Sequence, residues 1–250
     1  MYYFASDTHL GGGTPEQQKI TERRFIKWLD DVAADAKAIF LCGDIFDFWF
    51  EYRHVVPKGA VRVLGKIAEL TDRAVRVVFM AGNHDMWVRD YFTEECGMEL
   101  YTSPTTFTLG TKQVHVAHGD NLNVKGNAKL KLLNGFFRSK IARQLFSWLV
   151  HPDIALSFGL AWSNSSRKRH SEESVKIRLL CIEHLSEYAV DHHAKHKADI
   201  YIFGHIHYTA TFTEQTPQIL FMNNWSSTPH YISLSESGEV KLCEVKLGRK

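Results

Sequence analysis

Asp7-Thr8-His9, Gly43-Asp44-Ile45-Phe46-Asp47, Gly82-Asn83-His84-Asp85, His118-Gly119-Asp120 and Gly204-His205-Ile206-His207 carry the side chains that a pair of divalent cations would need. Singly, four of the five have ordinary readings. Asp7-Thr8-His9 can be a strand end or turn, and Asp44 and Asp47 can belong to a helix N-terminus. Gly82-Asn83-His84-Asp85 can be a turn, and His118 a strand-end histidine. The paired imidazoles of His205 and His207 are the strongest signal alone. Pooled, the set offers carboxylates, imidazoles and one amide oxygen, with no thiolate. That mixture suits Mn²⁺ first, or Fe²⁺ or Zn²⁺, in an open site rather than a closed structural zinc. Two such ions activate water for attack on phosphorus and neutralise the phosphoryl oxygens.

Such a site needs its ligands delivered to one edge, and the flanking segments are suited to that. Each motif follows an apolar, strand-like run. Strands are expected at Tyr2–Ser6, Ala38–Cys42, Val75–Ala81, Gln113–Ala117 and Asp199–Phe203, and later at Gln218–Met222, His230–Leu234 and Val240–Val245. Helices are expected at Glu16–Ala36, where Phe25, Ile26, Trp28, Leu29 and Val32 share a face, and at Lys58–Thr71. Ser237-Gly238 marks a hairpin turn. Ligands at the ends of such strands converge naturally in an α/β sheet.

Two helical stretches, 122–150 and 171–196, interrupt this alternation, the second entered by Ser171-Glu172-Glu173-Ser174. Between them, Pro152 to Arg169 mixes Leu156, Phe158, Leu160 and Trp162 with a polar, basic run. The block lies between His118 and the last two histidines, so it is expected to sit over the site as a cap. Residues 120–170 hold nine Lys or Arg against two acids, although the whole chain is only +2. That asymmetry points to an anionic partner: phosphate, nucleic acid or acidic lipid.

With 250 residues, 44% hydrophobic and 23% charged, the chain can bury a substantial core. Cys42, Cys96, Cys181 and Cys243 are far apart and form no paired zinc spacing, as expected of a reduced, cytosolic protein. The N-terminus has no secretory pattern. No apolar run approaches the ~20 residues of a membrane span.

The ordered set D-x-H, G-D-x-x-D, G-N-H-D, H and G-H-x-H, covering residues 7 to 207, resembles the calcineurin-like metallophosphoesterases. The resemblance implies a single α/β domain over 1–250, a four-layer αββα sandwich with a helical cap insertion at about 122–196. It implies that Asp7, His9, Asp44 and His207 hold one metal. Asn83, His118 and His205 would hold the second, with Asp44 bridging. His84 would assist the leaving group, and Asp47 would orient His84 and keep it charged.

Ser6-Asp7-Thr8-His9-Leu10, Gly43-Asp44-Ile45-Phe46-Asp47-Phe48-Trp49, His118-Gly119-Asp120 and the helical insertion further resemble the UDP-2,3-diacylglucosamine pyrophosphatases of lipid A synthesis. Those enzymes use the insertion as a lid for acyl chains and act at the cytosolic face of the inner membrane. A nucleotide-lipid substrate and an anionic membrane surface are then the expected partners. Leu132, Leu133, Phe136, Phe137, Leu145, Phe146, Trp148, Leu149 and Val150 would face lipid, or pack as an ordinary amphipathic helix. Lys125, Lys129, Lys131, Arg138, Lys140 and Arg143 would meet head groups. Arg167, Lys168, Arg169 and Asp120 are the candidate substrate-binding residues, the three cations gripping pyrophosphate or forming a solvated loop. Those enzymes carry Arg where this chain has His84 and Glu where it has Asp47, so the chemistry is carried further than the substrate. A nuclease or other phosphodiesterase using the basic cap, and a non-catalytic interaction module, are the competing readings.

Overall fold

The computed structural model describes residues 1–120, 122, 139–172, 175–226 and 228–245; the side chains of 140 and 166–172 are outside that description. The expectations for Leu132, Leu133, Phe136, Phe137, Lys125, Lys129, Lys131 and Arg138, and for the side chains of Lys140, Arg167, Lys168 and Arg169, therefore fall outside the described residues.

The strand Ala38–Cys42 (β2) is buried along its whole length, as a strand covered on both faces must be. Ala38, Phe40 and Cys42 face one way and meet Phe107, Val114, Val116, Ile200 and Ile202 of a second sheet. Ile39 and Leu41 face the other way, against helices. β2 pairs in parallel with Tyr2–Ala5 (β1) and with Arg76–Met80 (β3), which pairs in turn with Glu99–Tyr101 (β4). The first sheet is completed by His230–Leu234 (β10) and Val240–Glu244 (β11), antiparallel beyond β1. The second sheet runs Thr105–Leu109 (β5), Lys112–Ala117 (β6), Ile200–Phe203 (β7), Gln218–Phe221 (β9) and Ala210–Phe212 (β8), with β6, β7 and β9 parallel.

Helices cover both outer faces. In Pro15–Ala33 (α1), the Thr14 hydroxyl accepts from the Gln17 N–H while the Gln17 side chain accepts from Thr14, and Pro15 opens the first turn. Its apolar stripe Phe25, Trp28, Leu29 and Val32 is buried beside that of Val61–Asp72 (α2), namely Val63, Leu64, Ile67 and Leu70. On the far side, Ile182, Leu185 and Ala189 of Val175–His196 (α6) pack on Tyr201, Phe203, Ile219 and Phe221. The layers are helices, sheet, sheet, helix, as the sequence led us to expect.

The strands missed by pattern are edges or nearly bare of apolar residues. β4 and β8 have three residues each, and β5 alternates threonine with Phe107 and Leu109. Pro152–Glu172 (α5) is a larger departure, because one continuous helix replaces the mixed segment. Ser171 and Glu172, expected to open the following helix, instead end this one. Its pattern is inverted: small residues Ala155, Gly159 and Ser163, one turn apart, are buried, while Ile154, Phe158 and Trp162 are exposed. A large-apolar periodicity test therefore finds no core-facing stripe. Lys140–Leu149 (α4) begins at Ser139, whose hydroxyl accepts from the Ala142 N–H; the short helix Tyr91–Glu94 (α3) follows β3.

Candidate active site: a histidine and aspartate cluster

Parallel β1, β2 and β3 deliver Asp7, Asp44 and Asn83 just past their C-terminal ends, and parallel β6 and β7 deliver His118 and His205 past theirs. The two sheets meet there. His207 Nε2 lies 3.1 Å from Asp7 Oδ1, and His118 Nε2 lies 3.2 Å from Asp44 Oδ2. His9 Nε2 lies 3.1 Å from His207 Nε2.

The backbone is bent to achieve this. Asp7, His9, Asp44, His205 and His207 have φ of +55°, +47°, +51°, +69° and +52°. A non-glycine residue in this left-handed region is disfavoured by roughly 1–2 kcal/mol, and such strain concentrates at functional sites. The motif glycines have a separate reason. A Cβ on Gly82 would collide with Asp44 Oδ1 and come within 2.6 Å of the Asp44 main-chain nitrogen; one on Gly204 would meet Ser6 Oγ and sit 2.6 Å from Asp7 Oδ2. Any side chain there would displace a ligand carboxylate.

Main-chain donors aim the carboxylates. The His205 N–H donates to Asp7 Oδ2 at 3.0 Å, and the His84 N–H donates to Asp44 Oδ1 at 2.8 Å. The His118 Nδ1–H donates to the Cys42 carbonyl at 3.1 Å, which aims Nε2 at Asp44. Asp85, quoted with its motif but given no role from sequence, is the organiser of this region. Its Oδ1 accepts from the Gly82 and Asp44 N–H groups at 2.7 and 3.2 Å, and its Oδ2 from Ile45 and Phe46 at 2.8 and 3.3 Å. Its place two residues after Asn83 was its only sequence signal; its complete burial is decided by the fold.

Three groups have ligand atoms close enough to share an ion: Asp7, His9 and His207; His9, Asp44 and His84; and Asp44, His118 and His205. Asp44 belongs to two of them, as a bridging ligand would. The fit to cations is tested by an orphaned atom. Asn83 Oδ1 is buried with no hydrogen-bond partner among the described residues, an arrangement that is unfavourable unless something else binds there. Electrostatics agree. Burial opposes charge on Asp7, but hydrogen bonding and charge from His207 prevail and hold its carboxyl well below the usual range. Burial likewise opposes charge on Asp44, and His118 and His84 outweigh it. Burial lowers His118, but Asp44 overrides this and pushes it up to about 10. Burial dominates at His9, which is lowered. Burial, then the Asp44 charge, pushes Asp85 up to about 7. Asp7 and Asp44 thus stay ionised within the cluster, as ligands of a divalent cation must.

His84 is buried at the rim of this cluster, its Nε2 3.9 Å from Asp44 Oδ2. Its Nδ1 donates to the Asp47 main-chain carbonyl at 2.7 Å and lies 3.1 Å from the Ser163 hydroxyl. The sequence reading gave the orienting role to the Asp47 carboxylate; that group instead lies 3.5 Å from His9 Nδ1. Ser163, on α5, was missed because a serine in a polar run carries no distinguishing signal. Trp162 stands beside the same imidazole, with ring centroids 5.4 Å apart. α5 reaches this position by packing Gly159 directly on the Phe48 ring, where no Cβ would fit. Asp120 is half-buried next to His118, across a small cavity from Tyr101–Pro104.

Comparison with known proteins places this arrangement. The UDP-2,3-diacylglucosamine hydrolase of Porphyromonas gingivalis is 38% identical over 238 residues, 89% of each chain. The protein of that name from Haemophilus influenzae is 24% identical over 243 residues, 95% of this chain and 96% of its own. A solved archaeal phosphodiesterase aligns over 97% of this chain and 98% of its own, at 12% identity and a TM-score of 0.47. The model of the calcineurin-like phosphoesterases matches residues 2–209. The chain is a hydrolase and belongs to the calcineurin-like phosphoesterase family.

Proposed function

We propose that this hydrolase cleaves the pyrophosphate of UDP-2,3-diacylglucosamine, releasing UMP and 2,3-diacylglucosamine 1-phosphate. The observation that carries the lipid half of the reading is the outward apolar surface of α4 and α5 beside His84. On α4, Ile141, Leu145, Trp148 and Leu149 recur on one face and are 73%, 53%, 78% and 81% exposed. This face is not a core stripe lacking a partner. The opposite side of α4 is already packed, Phe146 and Val150 against Phe50 and Tyr52, and Arg143 Nη1 donates to the Val88 carbonyl at 2.6 Å. Ile154, Phe158 and Trp162 continue the apolar surface on α5. Exposed patches of this kind mark ligand or membrane contact. In this reading the segment at about 122–196 is the cap of one domain spanning 1–250, with acyl chains against α4 and α5. No helix among the described residues is long and apolar enough to cross a membrane, and the proposed placement is peripheral, on an anionic cytoplasmic surface. The names of the relatives support the nucleotide half.

Asp7, His9, Asp44 and His207 would hold one divalent ion and Asp44, Asn83, His118 and His205 the other, Mn²⁺ being the ion best matched to this donor set. When bound, such a pair supplies an activated water and neutralises phosphoryl charge. The chain's own part is positional. Asp44 and Asp7 are fixed by main-chain N–H groups before substrate arrives, and His84, held through Nδ1, presents Nε2 toward the leaving oxygen. A water oxygen bonds to the α-phosphorus, the bond from that phosphorus to the bridging oxygen breaks, and His84 supports the departing lipid phosphate. Arg167, Lys168, Arg169 and Asp120 remain the proposed substrate contacts.

The test is UMP release by the Mn²⁺-loaded protein from UDP-2,3-diacylglucosamine in detergent micelles, with UDP-N-acetylglucosamine as the unacylated control. Strong preference for the acylated substrate is expected, with near-complete loss in Asp44→Ala and His118→Ala. Equal turnover of both substrates would overturn the acyl reading.

A further inference from the structure

Resting on that reading, one part of the molecule remains unassigned. A cavity of about 640 Å³ opens on Asp7, His9 and His207 and is walled by α1, by Arg178 of α6 and by Asn224 and Ser226 after β9. Its volume falls in the range of small-molecule sites, about 300–1,000 Å³. The α1 wall is one helical face: Gln17, Ile20, Thr21 and Arg24 stand three and four residues apart. It is the face left over once Phe25, Trp28, Leu29 and Val32 are committed to the core.

Most of the described lining residues carry hydrogen-bonding side chains. Thr8 is 3% exposed, lines the cavity, and its hydroxyl has no hydrogen-bond partner among the described residues. Arg24 is half-buried, and no described residue forms a hydrogen bond or ion pair with it. Gln17, Thr21, Asn224 and Ser226 add neutral hydrogen-bonding groups, and Ile20 is the one large apolar member among the described lining residues. Acyl chains would leave the Thr8 hydroxyl and the Arg24 guanidinium unsatisfied, at a penalty of roughly 1–3 kcal/mol each. A ribose and a pyrimidine ring bearing two carbonyl acceptors would satisfy them.

Position gives the same answer. No residue of α5 whose side chain is described lines this cavity, whereas Ser163 and Trp162 of α5 touch His84. The leaving half of the substrate, the lipid phosphate, belongs on the His84 side. A pyrophosphate held across the cluster then directs its other end toward Asp7, His9 and His207. We propose that the cavity between α1 and α6 is the nucleoside subsite, with Arg24 and Thr8 as determinants that select a uridine nucleotide over other phosphate esters.

The test is calorimetric titration of the Mn²⁺-loaded protein with UMP and, separately, with inorganic phosphate. Both ligands offer phosphate to the cations, but only UMP has a nucleoside that extends from there along α1 into the rest of the cavity. UMP is expected to bind at least about tenfold more tightly than phosphate, and Arg24→Ala and Arg24→Gln are expected to erase most of that margin while phosphate affinity changes little. Thermal unfolding checks that both variants remain folded. UMP binding no more tightly than phosphate to the unaltered protein, or a margin intact in both variants, would overturn the assignment. The phosphoesterase reading is decided separately, by whether the unaltered protein hydrolyses bis-p-nitrophenyl phosphate. UMP selectivity in a protein that fails to do so would uphold the subsite and sink the reaction.

Discussion

Asp85→Asn replaces a single oxygen by an amino group and should cost the site far more than so small a change suggests, because the residue is fully buried. Each carboxylate oxygen accepts two main-chain N–H groups, from Gly82 and Asp44 on one side and from Ile45 and Phe46 on the other. Asparagine supplies one acceptor oxygen and one amino group, so in either orientation one pair of buried N–H groups faces a donor. At roughly 1–3 kcal/mol for each buried donor left unsatisfied, about 3 kcal/mol of stability is lost. For a chain of this size each kcal/mol lowers Tm by about 2–4 °C, giving a fall of about 6–12 °C. The loops concerned also carry Asp44 and Asn83, so Mn²⁺ affinity is expected to drop about 10–100-fold. The Asp44 charge that raises Asp85 is the charge that bound cations neutralise, so the loss of stability is expected to be larger with Mn²⁺ than in chelator. Thermal unfolding in both conditions, with a Mn²⁺ titration, measures each effect. A variant that unfolds within about 2 °C of the parent in both conditions and binds Mn²⁺ equally well would refute the reasoning.

His84→Ala is expected to slow esters with poor leaving groups by about 10²–10⁴ and activated nitrophenyl esters much less; equal losses on both would remove its leaving-group role. Gly159→Ala places a methyl group into the Phe48 ring, and destabilisation of about 1–3 kcal/mol is expected from the overpacking, read as a lowered Tm that a parent-like value would contradict. His115 sits under α6, its Nδ1 2.8 Å from Thr106 Oγ1 and its Nε2 3.1 Å from the Tyr188 hydroxyl, with His192, His196 and Tyr201 nearby. Burial, then the charges of His192 and His196, lowers it to about 4. Its folded value lies below the unfolded one, so the unfolded chain takes up the proton first as pH falls. The stability it contributes is full above about pH 6.5 and is lost progressively toward pH 4, about 3 kcal/mol in all. Comparing Tm at pH 7.5 and 5 in the parent and in His115→Gln checks this, the variant being expected to show the shallower dependence.

Candidate donors were legible in the chain because the capacity to coordinate is a property of atom type. Asp7, His9, Asp44, Asn83, His118, His205 and His207 are oxygen and nitrogen donors placed after strand-forming runs, and the structure brings them to the junction of the two sheets. The central strands were legible for a related reason, since burial on both faces demands an unbroken apolar run. Edges β4, β5 and β8 were not, because half their side chains face solvent or they are too short to form a pattern.

What the residues do to one another was decided only by tertiary structure. The carboxylate of Asp47 and its main-chain carbonyl serve different histidines, and nothing in Gly43-Asp44-Ile45-Phe46-Asp47 distinguishes the two. Asp85 became an organiser because four N–H groups from two separate loops converge on it. α5 turned its small residues inward because Phe48 and His84 leave room for nothing larger, which reversed the usual amphipathic rule. Donor chemistry is written residue by residue, whereas hydrogen-bond pairing and helix orientation depend on neighbours some 40 to 200 positions away, and only the folded chain supplies those.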